Sequence, residues 1–238
     1  MLAIQSDKPP LKHIDFFRQT PLFDKLSESE LAQIMQDVVE RQFQPGEIIF
    51  REGDPGQVLY LAKSGRVRIF VNGMDGSETS VILIGSPGQM FGELAVIDGM
   101  PRSATAVAMD DAVLYTLSRE AFRSHMRHIP QFSLNFLREL SIRLRYNTLQ
   151  VDSLASLGVP RRLARKLLEL AQQYGQVRHD GVIIHMTLTQ TDLASLIGAT
   201  RESTNKSLRD FRRQRWIEIS QGHITILDPE ALRAQVSA

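Results

Sequence analysis

The spacing of hydrophobic and polar positions changes twice along the chain. Residues 10–40 have the pattern of short helices, in which Ser27 and Glu30 have the spacing of a capping box. From about Phe43 to Leu117, short β-rich runs alternate with turns, and ten of the 15 glycines fall in this stretch. The runs that predict strands are 47–50, 58–61, 67–71, 80–84 and 112–116. Short strands separated so regularly predict an antiparallel roll or barrel.

After Pro130 the period becomes helical. Six positions alternate in steps of three and four, as in the seam of a coiled coil: Leu137, Leu140, Leu144, Asn147, Val151 and Leu154. A single amphipathic helix packed on its own domain would give a similar pattern. The alternation over this length, ahead of a basic segment, favours a parallel dimer. Gly158 and Pro160 are expected to end the helix.

The remaining residues predict a helix-turn-helix with a β wing. In chain order we expect a helix over 161–171, a strand over 182–186, short helices over 189–196 and 200–213, and a hairpin formed by 216–220 and 223–227. Thr189 and Asp192 have the spacing of a second capping box, and Thr200 is a plausible N-cap. Gln221-Gly222 supplies the hairpin turn.

Composition narrows the class of protein. At 238 residues, with 42% hydrophobic and 23% charged residues, the chain has an ordinary globular composition. No apolar run reaches the length of a membrane span, and the N-terminus lacks a secretory pattern, so we expect a cytoplasmic protein with no membrane partner. Cysteine is absent, which excludes cysteine-ligated iron–sulfur clusters. Without a P-loop, a nucleophile elbow or histidines at metal-ligand spacing, neither an enzyme nor a metal site is expected.

Charge is distributed unevenly along the chain. From Gly158 to the end there are 12 Lys and Arg against 8 Asp and Glu, and the first 157 residues hold the remaining 16 and 19. A basic C-terminal part behind a mildly acidic N-terminal part indicates that the C-terminal part binds a polyanion.

The segment from Phe91 to Ala106 carries the most specific chemistry. It places the carboxylate of Glu93 nine positions ahead of the guanidinium of Arg102. A carboxylate accepts hydrogen bonds from sugar hydroxyls, and a planar cation suits a phosphate. Gly92, beside the carboxylate, allows close approach of the backbone, whose N–H groups can bind anion oxygens. These residues favour a phosphorylated sugar ligand.

The same segment, Phe-Gly-Glu-Leu-Ala followed by Pro-Arg-Ser-Ala-Thr, resembles the phosphate-binding cassette of cyclic-nucleotide-binding domains. The whole chain resembles the CRP/FNR superfamily of bacterial transcription regulators. This resemblance implies an α+β fold: a jelly-roll-like cyclic-nucleotide-binding β-roll in 1–130, a coiled-coil dimerisation helix in 131–157 and a winged helix-turn-helix in 158–238.

The resemblance also implies the ligand and its contacts. Cyclic AMP is the leading allosteric ligand, and cyclic GMP, cyclic di-GMP or no ligand are the alternatives. A regulatory subunit of an enzyme or channel is disfavoured by the helix-turn-helix. Glu93 would accept from the ribose 2′-hydroxyl, Arg102 would pair with the cyclic phosphate, and Ser103 would donate to a phosphate oxygen. Gly92 and Leu94 would contribute backbone contacts.

Selection of the base is assigned to Asn147 and Thr148, because nothing in the cassette suits that task. The family has base-contacting polar residues of the long helix at this point, on both subunits. An asparagine in an apolar seam also fixes helix register, and both roles are compatible.

The second helix of the helix-turn-helix resembles the family's recognition motif, G-x-[ST]-R-E-[TS]. This implies that Arg201 and Glu202 read the outer bases of a TGTGA-like half-site, through guanine O6 and N7 and cytosine N4. Asn205 lies near the same face, and Lys206 stands where well-known members carry a second arginine. A lysine lacks the bidentate fork, so the half-site is expected to be relaxed there.

The implied partners follow from these sites. Thr189 and Thr200, at helix starts, are suited to phosphate contacts that set the register on double-stranded DNA. A pseudo-palindromic site requires a second copy of the chain. RNA polymerase is the further partner that the family resemblance implies.

Overall fold

The computed structural model describes residues 14–73, 78–186 and 188–237. These residues form two compact units. The N-terminal unit contains 14–73 and 81–145, and the C-terminal unit contains 78–80 and 146–237.

The N-terminal unit contains most of the β-structure. Its helices are α1 (Ile14–Gln19), α2 (Glu28–Met35), α3 (Glu93–Asp98), α4 (Arg119–His128) and the first part of α5 (Pro130–Ser156), with a 3-10 turn at Pro21–Phe23. Its strands are β1 (Val38–Phe43), β2 (Ile48–Phe50), β3 (Val58–Ser64), β4 (Val67–Asn72), β5 (Glu78–Ile84, without its first three residues), β6 (Met90–Phe91), β7 (Thr105–Ala108) and β8 (Ala112–Ser118). The capping box of Ser27 and Glu30 at the start of α2 is confirmed.

Two four-stranded sheets form the roll, in the orders β1-β8-β3-β6 and β2-β7-β4-β5. Buried apolar side chains from both sheets pack together, including Phe50, Tyr60, Ile69, Phe91 and Leu114. The core therefore lies between the sheets, which confirms the predicted β-roll. The five predicted strand runs correspond to β2, β3, β4, β5 and β8.

A second core joins the helices to the roll. Phe17 of α1, Ile34 of α2 and Phe122 of α4 pack with Phe132 and Phe136 from the first turns of α5. Aromatic packing thus fixes the start of α5 to the N-terminal unit. The residues of α5 after Arg145 belong to the C-terminal unit.

The C-terminal unit contains the end of α5, four more helices and a sheet. In chain order these are α6 (Val159–Tyr174), β9 (Gly175–Arg178), β10 (Gly181–Ile184), α7 (Gln190–Leu196), α8 (Arg201–Arg213), β11 (Ile217–Ser220), β12 (His223–Ile226) and α9 (Pro229–Ser237). The strand order is β11-β12-β10-β9, and all pairings are antiparallel. The helix-turn-helix and its wing are confirmed. The helix break is also confirmed, because α5 ends at Ser156 and Gly158 is the N-cap of α6.

Some elements differ from the sequence prediction. Residues 38–40, expected in a helical stretch, begin strand β1, and β10 ends at Ile184 rather than 186. Elements without a sequence prediction are α3, α4, α9, β6, β7 and β9. Most are short, so their side chains do not establish a period.

Candidate ligand-binding and DNA-binding sites

The cassette residues are positioned by a short strand and a short helix. Strand β6 leads into α3 through Gly92, whose φ of 74° lies in the left-handed region that favours glycine. A Cβ at Gly92 would also lie 2.6 Å from Arg102 Nη1. The backbone angle therefore favours glycine, and a larger residue would in addition displace the Arg102 guanidinium.

Glu93, the first residue of α3, is a buried carboxylate with a cationic partner. It is only 4% exposed. Arg143 of α5 donates from Nη1 to Glu93 Oε1 at 2.6 Å and from Nη2 to the Met90 carbonyl at 2.6 Å. This pairing satisfies a charge whose burial would otherwise be costly.

Arg102 is buried in the same region, at 5% exposed. Its Nη1 donates to the Gly92 carbonyl at 2.6 Å and its Nη2 to the Val58 carbonyl at 2.7 Å. The guanidinium carbon lies 4.2 Å from the ring centroid of Phe50 and 5.7 Å from that of Tyr60. These contacts hold the guanidinium plane in one orientation.

One nitrogen of the Arg102 guanidinium has no acceptor among the described residues. This nitrogen, Nε, is buried. Burial lowers the pKa of the guanidinium, opposed by Tyr60, Glu93 and Asp54, and an arginine remains charged regardless. A buried cationic donor without an acceptor is costly, and an anionic ligand oxygen would supply the acceptor.

The structure brings Gly92, Glu93 and Arg102 together, as the cassette pattern predicts. Leu94 and Ser103 belong to the same segment, and their side chains are exposed. Asn147 and Thr148 lie on the part of α5 that belongs to the C-terminal unit, also with exposed side chains.

Arg143 is the residue of this site that the sequence did not reveal. It is one of several charged residues on α5, and nothing in its spacing distinguishes it from its neighbours Arg138 and Arg145. The only available signal is that a carboxylate buried at Glu93 must have a cationic or hydrogen-bonding partner.

Both helices of the helix-turn-helix, α7 and α8, begin at a residue whose side chain caps the helix N-terminus. Thr189 accepts from the Asp192 N–H at 3.1 Å, and Asp192 Oδ2 accepts from the Thr189 N–H at 2.9 Å. At the start of α8, Thr200 accepts from the Ser203 N–H at 3.2 Å. The predicted capping box and N-cap are therefore confirmed, and both threonines are exposed.

The candidate base-reading residues face outward from α8. Arg201, Glu202 and Lys206 are exposed, whereas Thr204 and Phe211 are buried against the rest of the unit. Asn205 is partly buried. It borders a cavity of about 320 Å³ lined by Gln190, Asn205, Leu208, Arg209, Arg212 and Ile219. Two arginines of α8 thus border this cavity together with two apolar and two amide side chains.

The described ranges contain neither a membrane-spanning helix nor a cluster of metal-ligating side chains. No helix in them is both long and apolar enough for a membrane span. No group of three or more histidine, aspartate or glutamate side chains in them is arranged to hold a metal ion.

Comparison with known proteins gives matches over both units. Residues 40–128 match the cyclic nucleotide-binding domain family, and residues 161–235 match the Crp-like helix-turn-helix domain family. A "CRP-like cAMP-activated global transcriptional regulator" from Mycobacterium tuberculosis (strain ATCC 25618 / H37Rv) is 35% identical over 211 residues, which cover 89% of this chain and 94% of the relative. A "Cyclic AMP receptor protein" from Thermus thermophilus is 32% identical over 217 residues, covering 90% and 95%.

A solved structure supports the same relationship. A CRP-family transcriptional regulator from Thermus thermophilus aligns with a TM-score of 0.72 at 27% identity, covering 83% of this chain and 97% of that one. The similarity therefore extends along nearly the whole chain and is not confined to either unit.

Proposed function

The chain belongs to the CRP/FNR family of transcription regulators, and from this premise we propose that it is a homodimer that binds cyclic AMP and then a pseudo-palindromic, TGTGA-like DNA site. In this proposal residues 1–130 form the ligand-binding domain, 131–157 the dimerisation helix and 158–238 the DNA-binding domain. We expect it to act in the cytoplasm, where its DNA target lies, and to contact RNA polymerase.

The observation that carries the ligand proposal is that Glu93 and Arg102 are both buried in the cassette, with Arg102 Nε left without an acceptor among the described residues. A cyclic phosphate oxygen would accept from Nε, and an exposed Ser103 hydroxyl would add a second bond. A ribose 2′-hydroxyl would donate to the Glu93 carboxylate. A phosphate and a hydroxyl on one small ligand thus match the charges that the fold has buried.

Cyclic AMP is favoured over other cyclic nucleotides by two relatives whose names state it. Base selection is proposed for Asn147 and Thr148. Amide and hydroxyl groups can donate to and accept from an adenine edge.

Titration calorimetry with cyclic AMP, cyclic GMP and cyclic di-GMP tests the ligand. We expect cyclic AMP to bind most tightly, Glu93→Gln to weaken binding at least tenfold, and Glu120→Gln, on the exposed face of α4, to leave it unchanged. If no cyclic AMP binding is measured below about 1 mM, the ligand assignment is wrong. Tighter binding of another nucleotide would replace cyclic AMP by that ligand.

Dimerisation is proposed because α5 exposes an apolar seam to solvent. Leu137, Leu144, Val151 and Leu154 are each more than half exposed in the single chain. Exposed leucine and valine at this spacing are favourable only when a second helix buries them. Asn147 lies within the seam, where it would fix the register of the two helices.

Sedimentation velocity tests the dimer. The wild type should have a mass near twice 26.9 kDa, and Leu144→Glu should shift the protein toward monomer. Ile142→Glu is the matched control, because Ile142 is 56% exposed on the same helix but lies outside the seam. A monomeric wild type, or equal effects of the two substitutions, would contradict the proposed seam.

The DNA-binding proposal rests on the exposed N-terminal part of α8. Arg201 and Glu202 project from its first turn, where recognition helices reach base edges in the major groove. Each good base contact is worth roughly 1–3 kcal/mol of discrimination. Asn205 and Lys206 follow one turn later and are proposed to read adjacent base pairs.

Fluorescence anisotropy at constant salt tests these readers. Arg201→Ala should lower the ratio of specific to scrambled-site affinity at least fivefold, within the range expected for one base contact. Arg233→Ala removes an exposed arginine of α9 and should leave the ratio unchanged. An unaltered ratio in Arg201→Ala would remove that residue from the set of readers.

A further inference from the structure

Tyr146, Lys166 and Glu169 form a polar cluster that the proposed ligand and DNA contacts do not use. Tyr146 is on α5, where the C-terminal unit begins, and the other two residues are on α6. The Lys166 ammonium donates to the Tyr146 hydroxyl at 2.7 Å and to Glu169 Oε2 at 2.6 Å. The Tyr146 hydroxyl donates to the same carboxylate oxygen at 3.1 Å. The cluster therefore joins the two helices across the break between them.

Lys166 is the buried centre of the cluster. Lys166 is 8% exposed, and its ammonium lies 5.4 Å from the centre of the Tyr146 ring. Burial raises the pKa of Tyr146, so its hydroxyl remains protonated and able to donate. Nearby, Arg165 donates from Nη1 to the Leu149 carbonyl of α5 at 3.5 Å. Polar contacts thus hold α6 against a defined turn of α5.

Stability alone is a poor explanation for such a cluster. A buried ionic group is often no better for stability than apolar side chains of similar volume, because its desolvation offsets its attraction. Its hydrogen bonds are directional, however, and they fix the rotation and axial position of one helix relative to the other far more closely than apolar packing does. The arrangement is suited to positioning.

The position of Tyr146 on α5 gives this positioning a use. Arg143, three residues earlier and so about one helical turn away, holds Glu93 of the cassette. Asn147 and Thr148, the proposed base-contacting pair, follow Tyr146 directly. A ligand that contacts Asn147 and Thr148 would act on residues next to Tyr146 in the same helix. Helix α6, in turn, packs against the recognition helix α8.

We propose that Tyr146, Lys166 and Glu169 are positioning residues that transmit the ligand state of α5 to the recognition helix. This inference rests on the proposed function, because it requires a cyclic nucleotide to alter α5 and DNA to bind α8. The cluster contacts neither ligand. It determines how large a change in DNA affinity a given ligand produces.

The measurable quantity is the coupling ratio, which is the DNA dissociation constant without cyclic AMP divided by that with saturating cyclic AMP. Anisotropy titrations of the full-length protein give this ratio for the wild type, for Tyr146→Phe, which removes only the hydroxyl, and for Lys166→Met. Tyr174→Phe is the control, because it removes a tyrosine hydroxyl from the same unit outside the cluster. Lys166→Arg keeps a cationic donor and serves as the conservative variant.

We expect Tyr146→Phe and Lys166→Met to lower the coupling ratio at least fivefold, Lys166→Arg to recover part of it, and Tyr174→Phe to leave it unchanged. Circular dichroism and calorimetry with cyclic AMP verify that each variant is folded and binds ligand, so that a merely structural defect is recognised. If the wild type responds to cyclic AMP and both cluster variants have the same coupling ratio as the wild type, this inference alone is wrong. If the wild type does not respond, the proposed function fails and the inference fails with it.

Discussion

The ion pair between Glu93 and Arg143 allows a quantitative prediction for Arg143→Met. The Glu93 side chain is 5% exposed and that of Arg143 is 22% exposed. Removing one partner of a buried pair leaves an uncompensated charge and costs about 3–5 kcal/mol. Because Arg143 is partly solvated, water can replace some of its contribution after substitution. We therefore expect Arg143→Met to lower the free energy of unfolding by about 2 kcal/mol.

A matched control lies on the same helix. Arg138 forms an ion pair with Asp24 at 3.6 Å, with side chains 55% and 46% exposed. Exposed pairs of this kind contribute about 0–1 kcal/mol, so Arg138→Met should have little effect. Adding Glu93→Gln to Arg143→Met removes the unpaired charge and should recover about 1 kcal/mol.

Urea unfolding followed by circular dichroism measures these differences. The single tryptophan, Trp216, lies in the C-terminal unit, so its fluorescence reports separately on that unit. For Arg143→Met, the circular dichroism transition should therefore move to a lower urea concentration, and the Trp216 fluorescence transition should move less. Equal and small losses in Arg143→Met and Arg138→Met would refute the reasoning that Glu93 depends on Arg143 for its charge.

Three further outcomes follow from other parts of the structure. A Cβ at Gly56 would meet a side chain of α3 at 2.1 Å, so Gly56→Ala should cost about 1–3 kcal/mol in thermal unfolding and weaken cyclic AMP binding in calorimetry. Gly53→Ala, strained at φ 85° but in open space, should spare ligand binding. Thr189→Ala, which removes the cap of α7, should cost about 1 kcal/mol and weaken DNA binding in anisotropy equally for all sequences. Burial raises the pKa of Tyr60 and Tyr146. The stability that these two hydroxyls contribute is therefore complete below about pH 10 and is lost as the pH rises through their folded-state pKa. Urea unfolding between about pH 8 and 11 should detect a falling free energy of unfolding. An unchanged free energy of unfolding across that range would contradict this prediction.

Patterns that act over many residues were predictable from sequence. The strand runs of the roll, the long α5 and the capped helices of the helix-turn-helix each carry a period or a cap that depends on local residues. Helix α3 lacks such a signal. It has only six residues and lies between two glycines, Gly92 and Gly99, so its sequence is typical of a loop. Its helical form depends on the tertiary position of the cassette.

Contacts between distant segments were the part that sequence could not supply. Glu93 and Arg143 are separated by 50 positions, and Tyr146 and Lys166 by 20 positions across a helix break. Neither arginine nor lysine at these positions departs from the ordinary pattern of a solvated helix face. What makes them distinctive is burial of the partner, which depends on how the sheets and helices pack.

The geometry of Glu93 determines which of its carboxylate oxygens is available to a ligand. Arg143 contacts Oε1 of the carboxylate, and a carboxylate accepts several hydrogen bonds through its two oxygens. A ribose hydroxyl can therefore bind Oε2 while Arg143 remains in place. Under this arrangement Arg143 orients the carboxylate for the sugar, and the ligand adds to the ion pair rather than replacing it. The hydrogen bond from Arg143 to the Met90 carbonyl contributes to this orientation, because it holds the guanidinium that contacts Glu93. A lysine at this position would preserve the charge but, as a point charge without a fork, would fix Glu93 less well. We therefore expect Arg143→Lys to weaken ligand binding more than it lowers the free energy of unfolding.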